Sequence, residues 1–110
     1  MSSSPAKLAH MVFFTLHDNS EAKTNELISA CHQYLNDHPG VIYFSVGKPT
    51  PDLARPVNDR AHEVALHVVF ADRASHDAYQ VAPRHLEFID LHKANWKLVR
   101  VFDADIVSAS

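Results

Sequence analysis

Tyr79 and His85 are the two residues of this chain whose types and spacing best suit proton chemistry. Pro83, between them, suits the first turn of a helix, because its φ is fixed and it has no N–H that needs a partner. A helix that begins there places His85 at a positive helix end, which disfavours the imidazolium. The neutral imidazole that remains can accept a proton. The pair is therefore a candidate catalytic site.

A histidine and a tyrosine held together can remove a proton from a carbon next to a carbonyl group. The imidazole of His85 would take the proton, and the Tyr79 hydroxyl would stabilise the enolate oxygen that forms. A purely structural role is the alternative, in which His85 hydrogen-bonds the loop and the Tyr79 hydroxyl is satisfied in the core. Convergence of both residues with His10 on one open cavity would favour the catalytic role.

The hydrophobic patterns predict the elements that must hold this pair in place. Alternating or β-branched runs predict four strands, and apolar residues at helical spacing predict one long helix and one broken helix. The order is strand, helix, strand, strand, broken helix, strand, which is the split βαβ or ferredoxin-like α+β fold: a four-stranded antiparallel sheet with helices on one face. The predicted strands cover residues 8–16, 41–46, 62–70 and 96–106, and the helices cover residues 21–37, 71–79 and 86–93.

Length and composition indicate a single domain with a real core. The chain has 110 residues, of which 46% are hydrophobic, and this suits one domain over residues 7–106 with a disordered tail at 1–6 and a short tail at 107–110. A long polar loop with three prolines is expected over residues 48–61.

Charge and residue usage exclude several classes of function. The formal net charge is −3 and the chain has only two glycines, which argues against a nucleic-acid surface and against phosphate cradling by a glycine-rich loop. No cofactor is expected. No apolar run approaches twenty residues, so no membrane span is predicted. The single cysteine, Cys31, cannot form an internal disulfide, lies in a helical apolar pattern and favours a cytoplasmic location.

Both faces of the predicted sheet are apolar, although helices cover only one of them. An uncovered apolar face of that size is typical of an interface, and a symmetric homodimer that pairs sheet against sheet would cover it. The residues expected on this second face are Met11, Phe13, Ala65, Val69, Leu98 and Phe102.

A small-molecule pocket is expected between the other face and the helices. Its predicted ligand-binding residues are His10, Val12, Leu27, Val64, Phe88 and Trp96, beside the catalytic candidates Tyr79 and His85. Arg84 either meets an anionic ligand group at the pocket mouth or is a solvated surface residue. Of the other histidines, His62 is expected at the pocket rim or surface, His67 on the opposite face, and five in solvent: His17, His32, His38, His76 and His92.

Nine histidines raise the question of a metal ion. The sequence contains no HxxxH or CxxC, His62 and His67 have opposite strand parity, and His85 and His92 are two helical turns, about 10 Å, apart. No short local metal site is therefore predicted, because ligands must lie about 2 Å from one point. A site between distant residues, or across a dimer, stays open.

The chain resembles the stress-responsive A/B barrel (Dabb, dimeric α+β barrel) family over nearly its whole length. The resemblance rests on Ala9-His10-Met-Val-Phe-Phe14, Pro39-Gly40-Val41, the Tyr79…Pro83-x-His85 block and Val99-x-Val101-Phe102-Asp103. It implies a ferredoxin-like protomer paired through its sheet. It also implies roles from a cofactor-independent polyketide cyclase of the family: a base at His85, a tyrosine at Tyr79 and a pocket histidine at His10. This chain has Val64 where that enzyme has another histidine.

Three functions are compatible with these patterns. The first is a small-molecule pocket protein that binds an apolar carbonyl compound or, with His85 and Tyr79, acts as a cofactor-independent cyclase or lyase. The second is a stress-response module that works through dimerisation and partner contact. The third, by fold analogy alone, is an enzyme like the antibiotic-biosynthesis monooxygenases.

Overall fold

The computed structural model describes residues 5–109 and contains four strands and three α-helices. In chain order they are β1 (Leu8–Leu16), α1 (Glu21–Leu35), β2 (Val41–Gly47), β3 (Val64–Phe70), α2 (Arg73–Gln80), α3 (Pro83–His92) and, after a single 3₁₀ turn at Lys93–Asn95, β4 (Trp96–Asp105).

The four strands form one antiparallel sheet in the order β2-β3-β1-β4. β1 is central and pairs with β3 on one side and β4 on the other, so β2 and β4 are the edge strands. This strand order and the βαββαβ sequence of elements make the fold ferredoxin-like, which confirms the predicted fold class.

Local sequence explains where the helices that carry the site begin. The Ser20 hydroxyl accepts a hydrogen bond from Lys23 N and caps α1, and an Asp72 carboxylate oxygen accepts one from Ser75 N and caps α2. Pro83 occupies the first turn of α3, as predicted.

Gly40 fixes the approach of α2 to the start of β2. Its φ of 84° lies in the left-handed region, and a Cβ atom at this position would collide with the Ser75 side chain. Only glycine therefore allows α2 to dock this closely on the chain before β2.

The sheet has two different faces. Alternate residues of β1 and β3 are buried under the helices, in a face that we call the helix face. The opposite face, which we call the open face, carries Met11, Phe13, His67, Leu98 and Phe102, and Leu98 and Phe102 are half exposed. The predicted division of β1 and β3 residues between two faces is thereby confirmed.

The predicted third strand was too long at its start. β3 begins at Val64 rather than His62, because the chain turns at Glu63, whose backbone N–H bonds to Phe14 O. The alternation therefore does not extend to His62, whose ring packs edge-to-face on Phe13 with centroids 4.9 Å apart. His62 thus lies on the open face and is buried there, rather than at the pocket rim or the surface, where it was expected.

Several boundaries differ by one to three residues at helix and strand ends, where hydrogen bonding frays. α2 covers Arg73–Gln80 rather than 71–79, and α3 covers Pro83–His92 rather than 86–93. α1 ends at Leu35 rather than near Asp37, β2 continues to Gly47, and β4 ends at Asp105. The predicted loop after β2 is confirmed, since residues 48–63 contain no helix or strand.

The predicted N-terminal tail at 1–6 lies mostly outside the described residues, as does Ser110 of the C-terminal one. Within residues 5–109, no helix has both the length and the apolar character that crossing a membrane requires.

Candidate functional site

A cavity of about 410 Å³ lies between the helix face and the helices α2 and α3. One end is lined by imidazoles and a carboxylate, and the other by aromatic and aliphatic side chains, so the cavity has a polar end and an apolar end. We call it the histidine cavity. It is lined by His10, Val12, Phe14, Leu35, Leu66, His76, Tyr79, Gln80, His85, Phe88, Ile89, Trp96, Val99, Val101 and Asp103.

Tyr79 and His85 lie side by side in the polar end. Their ring centroids are 4.5 Å apart, and both residues are buried. His85 Nδ1 lies 3.2 Å from the backbone oxygen of Gln80, and because a carbonyl can only accept, Nδ1 carries the proton that is donated. The Nε2 atom of neutral His85 is therefore unprotonated and able to accept a proton.

Burial sets the protonation state of both residues. Burial is the largest cause that lowers the pKa of His85 from its ordinary value, and the nearby His10, His38 and His76 lower it further. The positive end of the helix that begins at Pro83, which the sequence suggested as the cause, is not needed to explain the lowered pKa of His85. Burial also raises the pKa of Tyr79, so its hydroxyl stays protonated at neutral pH.

The Tyr79 hydroxyl has no hydrogen-bond partner among the described residues, although it is buried. A buried hydroxyl without a partner costs free energy, since it gave up its hydrogen bonds to water. Tyr79 lines the cavity, so this hydroxyl is an unsatisfied donor in the cavity wall.

His10, Asp103 and His76 form the rest of the polar end. His10 lies on β1 opposite Asp103 of β4, and its Nδ1 is 2.5 Å from an Asp103 carboxylate oxygen. Burial lowers the pKa of His10, while the Asp103 hydrogen bond and charge act in the opposite direction. The ring of His76 on α2 lies 5.3 Å from that of His10, centroid to centroid.

Three aromatic rings form the apolar end. The Trp96 ring lies 5.1 Å from Phe14 and 5.6 Å from Phe88, measured between centroids. Trp96 Nε1 is buried and has no partner among residues 5–109, so this end also offers one N–H donor.

Of the eight predicted site residues, six line the histidine cavity and two do not. Leu27 instead lines a separate cavity of about 200 Å³ beside Trp96, because it lies on the part of α1 that packs near α3 rather than α2. Val64 is fully buried in the core. Those that line the cavity are His10, Val12, Tyr79, His85, Phe88 and Trp96.

Sequence reasoning missed His76, Gln80 and Asp103. His76 was expected in solvent, yet only 14% of its side chain is exposed, because it lies one turn before Tyr79 on the same side of α2. The i, i+3 spacing was the available signal. Asp103 has the same strand parity as Val99, which also lines the cavity, so parity along β4 was a signal for it.

His38, also expected in solvent, is buried. Its Nε2 donates a hydrogen bond to the backbone oxygen of Tyr34 at 2.7 Å, and its ring packs edge-to-face on Tyr79 at 5.0 Å. His38 therefore supports Tyr79 from behind the cavity. The expectation for His92 was wrong as well, since it is half-buried against Phe88, whereas His17 and His32 are exposed as expected.

Arg84 and Cys31 have structural roles. Arg84 donates to the backbone oxygens of Gln33 at 2.5 Å and Asn36 at 3.2 Å, so it caps the end of α1 and joins it to α3. Cys31 is fully buried in the core, where burial raises the pKa of its thiol to about 12.

The chain belongs to the family described as the Stress Responsive A/B Barrel Domain (Dabb), whose sequence model matches residues 8–106. This confirms the family that the sequence resembles. No curated protein matches the chain.

Solved structures with the same fold come from several organisms. A Dabb family protein with a ferredoxin-like fold from Mesorhizobium loti has a TM-score of 0.77 at 19% identity, over 94% of this chain and 99% of that one. A dimeric ferredoxin-like protein of unknown function from Thermobifida fusca has 0.77 at 15% identity, over 96% of each chain. The hydroxynitrile lyase from Passiflora edulis has 0.75 at 22% identity, over 96% and 98%.

Proposed function

We propose that this protein binds a small carbonyl compound in the histidine cavity and moves a proton on it without a cofactor, as a lyase or cyclase does. The observation that carries this proposal is the pairing of a buried, unpartnered Tyr79 hydroxyl with an unprotonated His85 Nε2 in one cavity. A donor beside a base is the arrangement that proton abstraction next to a carbonyl requires.

The proposed reaction begins with the removal of one proton from the substrate and ends with its return. A substrate whose carbonyl oxygen accepts a hydrogen bond from Tyr79 presents the C–H group next to that carbonyl to His85 Nε2. His85 takes that proton, and the electron pair it leaves behind shifts toward the oxygen that Tyr79 stabilises. Return of the proton to another atom, after a bond has formed or broken, restores neutral His85 and completes the cycle.

The shape of the cavity restricts the substrate class. A volume of about 410 Å³ lies within the usual range of about 300–1,000 Å³ for small-ligand sites. The polar group of the ligand fits the imidazole end, and its apolar body fits against Phe14, Phe88 and Trp96. This division of the cavity favours an aromatic or aliphatic carbonyl compound with its polar group at one end.

The similarity to the hydroxynitrile lyase from Passiflora edulis supports lyase chemistry on this fold. A cyclase reaction uses the same two residues on a longer substrate, since an intramolecular aldol closure also begins with proton abstraction beside a carbonyl.

The proposal includes a homodimer that forms through the open face. The apolar side chains there are exposed in a single chain, and a second copy buries them without any further partner. The dimeric state of the ferredoxin-like protein from Thermobifida fusca supports a dimer of this fold.

Hydrogen exchange at carbon tests the proton step even when the final product has not been identified. Small ketones, aldehydes and hydroxynitriles are incubated in D₂O with the protein, and deuterium entry next to the carbonyl, or cleavage, is followed by NMR. The wild-type protein is expected to accelerate one compound class, and His85→Ala to lower that rate at least about 100-fold.

His17→Ala is the matched control, because His17 is exposed and lies outside the cavity. It is expected to leave the rate unchanged. Absence of exchange or cleavage in the wild type across the panel, or an equal rate in His85→Ala, would overturn the proposal.

A further inference from the structure

Three residues from three different elements bring potential metal ligands together at the polar end of the histidine cavity. His10 is on β1, His76 on α2 and Asp103 on β4. One imidazole nitrogen from each histidine and one carboxylate oxygen all lie within 4.8 Å of one another. Among residues 5–109, this is the one group of histidine, cysteine and acidic side chains with such convergence.

We propose that His10, His76 and Asp103 bind a divalent first-row transition-metal ion, Zn²⁺ or Co²⁺, at the wall of the cavity. Two imidazoles and one carboxylate are a donor set that such ions prefer, and three protein ligands leave a coordination position for water or a ligand. That position would face the cavity, because all three residues line it.

The histidines are already oriented as metal ligands usually are. His76 Nδ1 lies 2.9 Å from an Asp77 carboxylate oxygen, which fixes the ring. In the neutral tautomer that donates to Asp77, Nε2 is the acceptor nitrogen, 3.4 Å from the side-chain nitrogen of Gln80. Carboxylates that hold the far nitrogen of a ligating imidazole in this way are a recurrent feature of metal sites. His10 is packed between Phe70 and Tyr79, so its ring is held by its neighbours.

The ligand atoms need only a small adjustment to reach bonding distance. Atoms that each lie about 2 Å from a tetrahedral ion are about 3.3 Å apart. Asp103 can supply the adjustment, since its side chain is 43% exposed on the edge strand β4. The ion would take the place of the hydrogen between His10 and Asp103, and neutral His10 would keep its proton on the other nitrogen.

The charges around the group allow an ion to bind. Asp103 contributes one negative charge, and Asp77 contributes another beside His76. Arg73, the nearest cation on α2, is paired with Asp77 at 2.8 Å. Because Arg73 offsets Asp77, a dication would meet one uncompensated carboxylate, that of Asp103, and two imidazoles, and this negative charge favours its binding.

Cobalt spectroscopy on the full chain tests this site independently of the proton chemistry. The protein is stripped with a chelator and titrated with Co²⁺, and visible absorption reports on four- or five-coordinate cobalt. We expect one Co²⁺ per chain, displaced by one Zn²⁺. Asp103→Asn and His76→Ala should each weaken binding at least about tenfold, since each removes a ligand or its charge.

Two variants separate the site from other histidines. His17→Ala should bind Co²⁺ as the wild type does, and so should His85→Ala, which removes the proposed base but no metal ligand. Thermal melts of the metal-free variants establish that each is folded. A wild-type spectrum like that of cobalt in water, or full binding by Asp103→Asn, would mean that the three residues form only a hydrogen-bonded group, and would overturn the proposal.

Discussion

Both faces of the sheet are apolar, but they differ in what covers them. On the helix face, the chain covers its own apolar residues with α1, α2 and α3, and leaves a cavity where histidines and an aspartate meet. On the open face, Phe102 and Leu98 remain half exposed, and the most polar contact is an ion pair between Arg100 and Asp59 beside Phe13.

This difference indicates that the two faces have different roles. Polar groups tolerate partial burial where a cavity lets a ligand satisfy them, and the helix face holds such groups in Tyr79 and Trp96. The open face also has a cavity, of about 460 Å³, lined by Met11, Phe13, Asp59, His62, Arg100 and Phe102. The exposed apolar side chains around it gain from being covered. The proposed function assigns chemistry to the helix face and association to the open face, and each of three predictions tests one side of this comparison.

A charge on the open face is expected to have the largest effect. In Phe102→Glu, a homodimer would bury two carboxylates without partners, at a cost of several kcal/mol. The dissociation constant of the dimer should rise at least about 100-fold, which corresponds to about 2.8 kcal/mol. Sedimentation equilibrium over a range of concentrations measures the change.

Leu91→Glu is the control for that prediction, because Leu91 is an exposed leucine of α3, on the other side of the molecule. It should keep the mass of the dimer. A Phe102→Glu protein that retains the dimer mass, or a wild type with the mass of one chain at high concentration, would contradict the assignment of the open face.

Loss of the Tyr79 hydroxyl should separate function from stability on the helix face. Because that hydroxyl has no partner within residues 5–109, Tyr79→Phe should change the free energy of unfolding by less than about 1 kcal/mol or raise it. The rate of the exchange reaction should fall about 10- to 100-fold, since the developing negative oxygen loses its donor.

Denaturant unfolding and NMR exchange measure the two quantities. Tyr43→Phe, on the half-exposed Tyr43 of β2, should alter neither. A marked loss of stability in Tyr79→Phe with an unchanged rate would show that the hydroxyl is structural.

The smallest expected effect is on the pH dependence of stability. The pKa of His85 is lowered in the folded protein, so between that pKa and the ordinary value of 6.5 the unfolded chain binds more protons. The free energy of unfolding therefore rises with pH in that window. This contribution to stability is lost progressively as the pH falls from about 6.5 towards the pKa of His85 in the folded protein. His10, His62 and His92 act with the same sign, since their pKa values are also lowered.

Replacement of His85 by a residue that does not titrate should flatten this dependence. The melting temperature of metal-free His85→Gln should fall less between pH 7 and pH 5 than that of the wild type, whereas His17→Gln should follow the wild-type curve. Parallel curves for the wild type and His85→Gln would show that His85 does not resist protonation in the fold.

The sequence alone determined the order of the elements, the two faces of β1 and the pairing of Tyr79 with His85. All of these follow from patterns within a few residues: a period of two in strands, a period near 3.6 in helices, and a proline that starts α3. The exposed apolar face could be predicted for the same reason.

Only the tertiary structure brought His10, His76 and Asp103 together and carried His62 to the open face. His10 and Asp103 are neighbours because β1 pairs with β4 in one register, and His76 joins them through the docking of α2 against Gly40. Register and docking depend on the packing of distant segments, which local periodicity does not encode. The physical reason is that contacts between distant segments are fixed only when the whole core is packed.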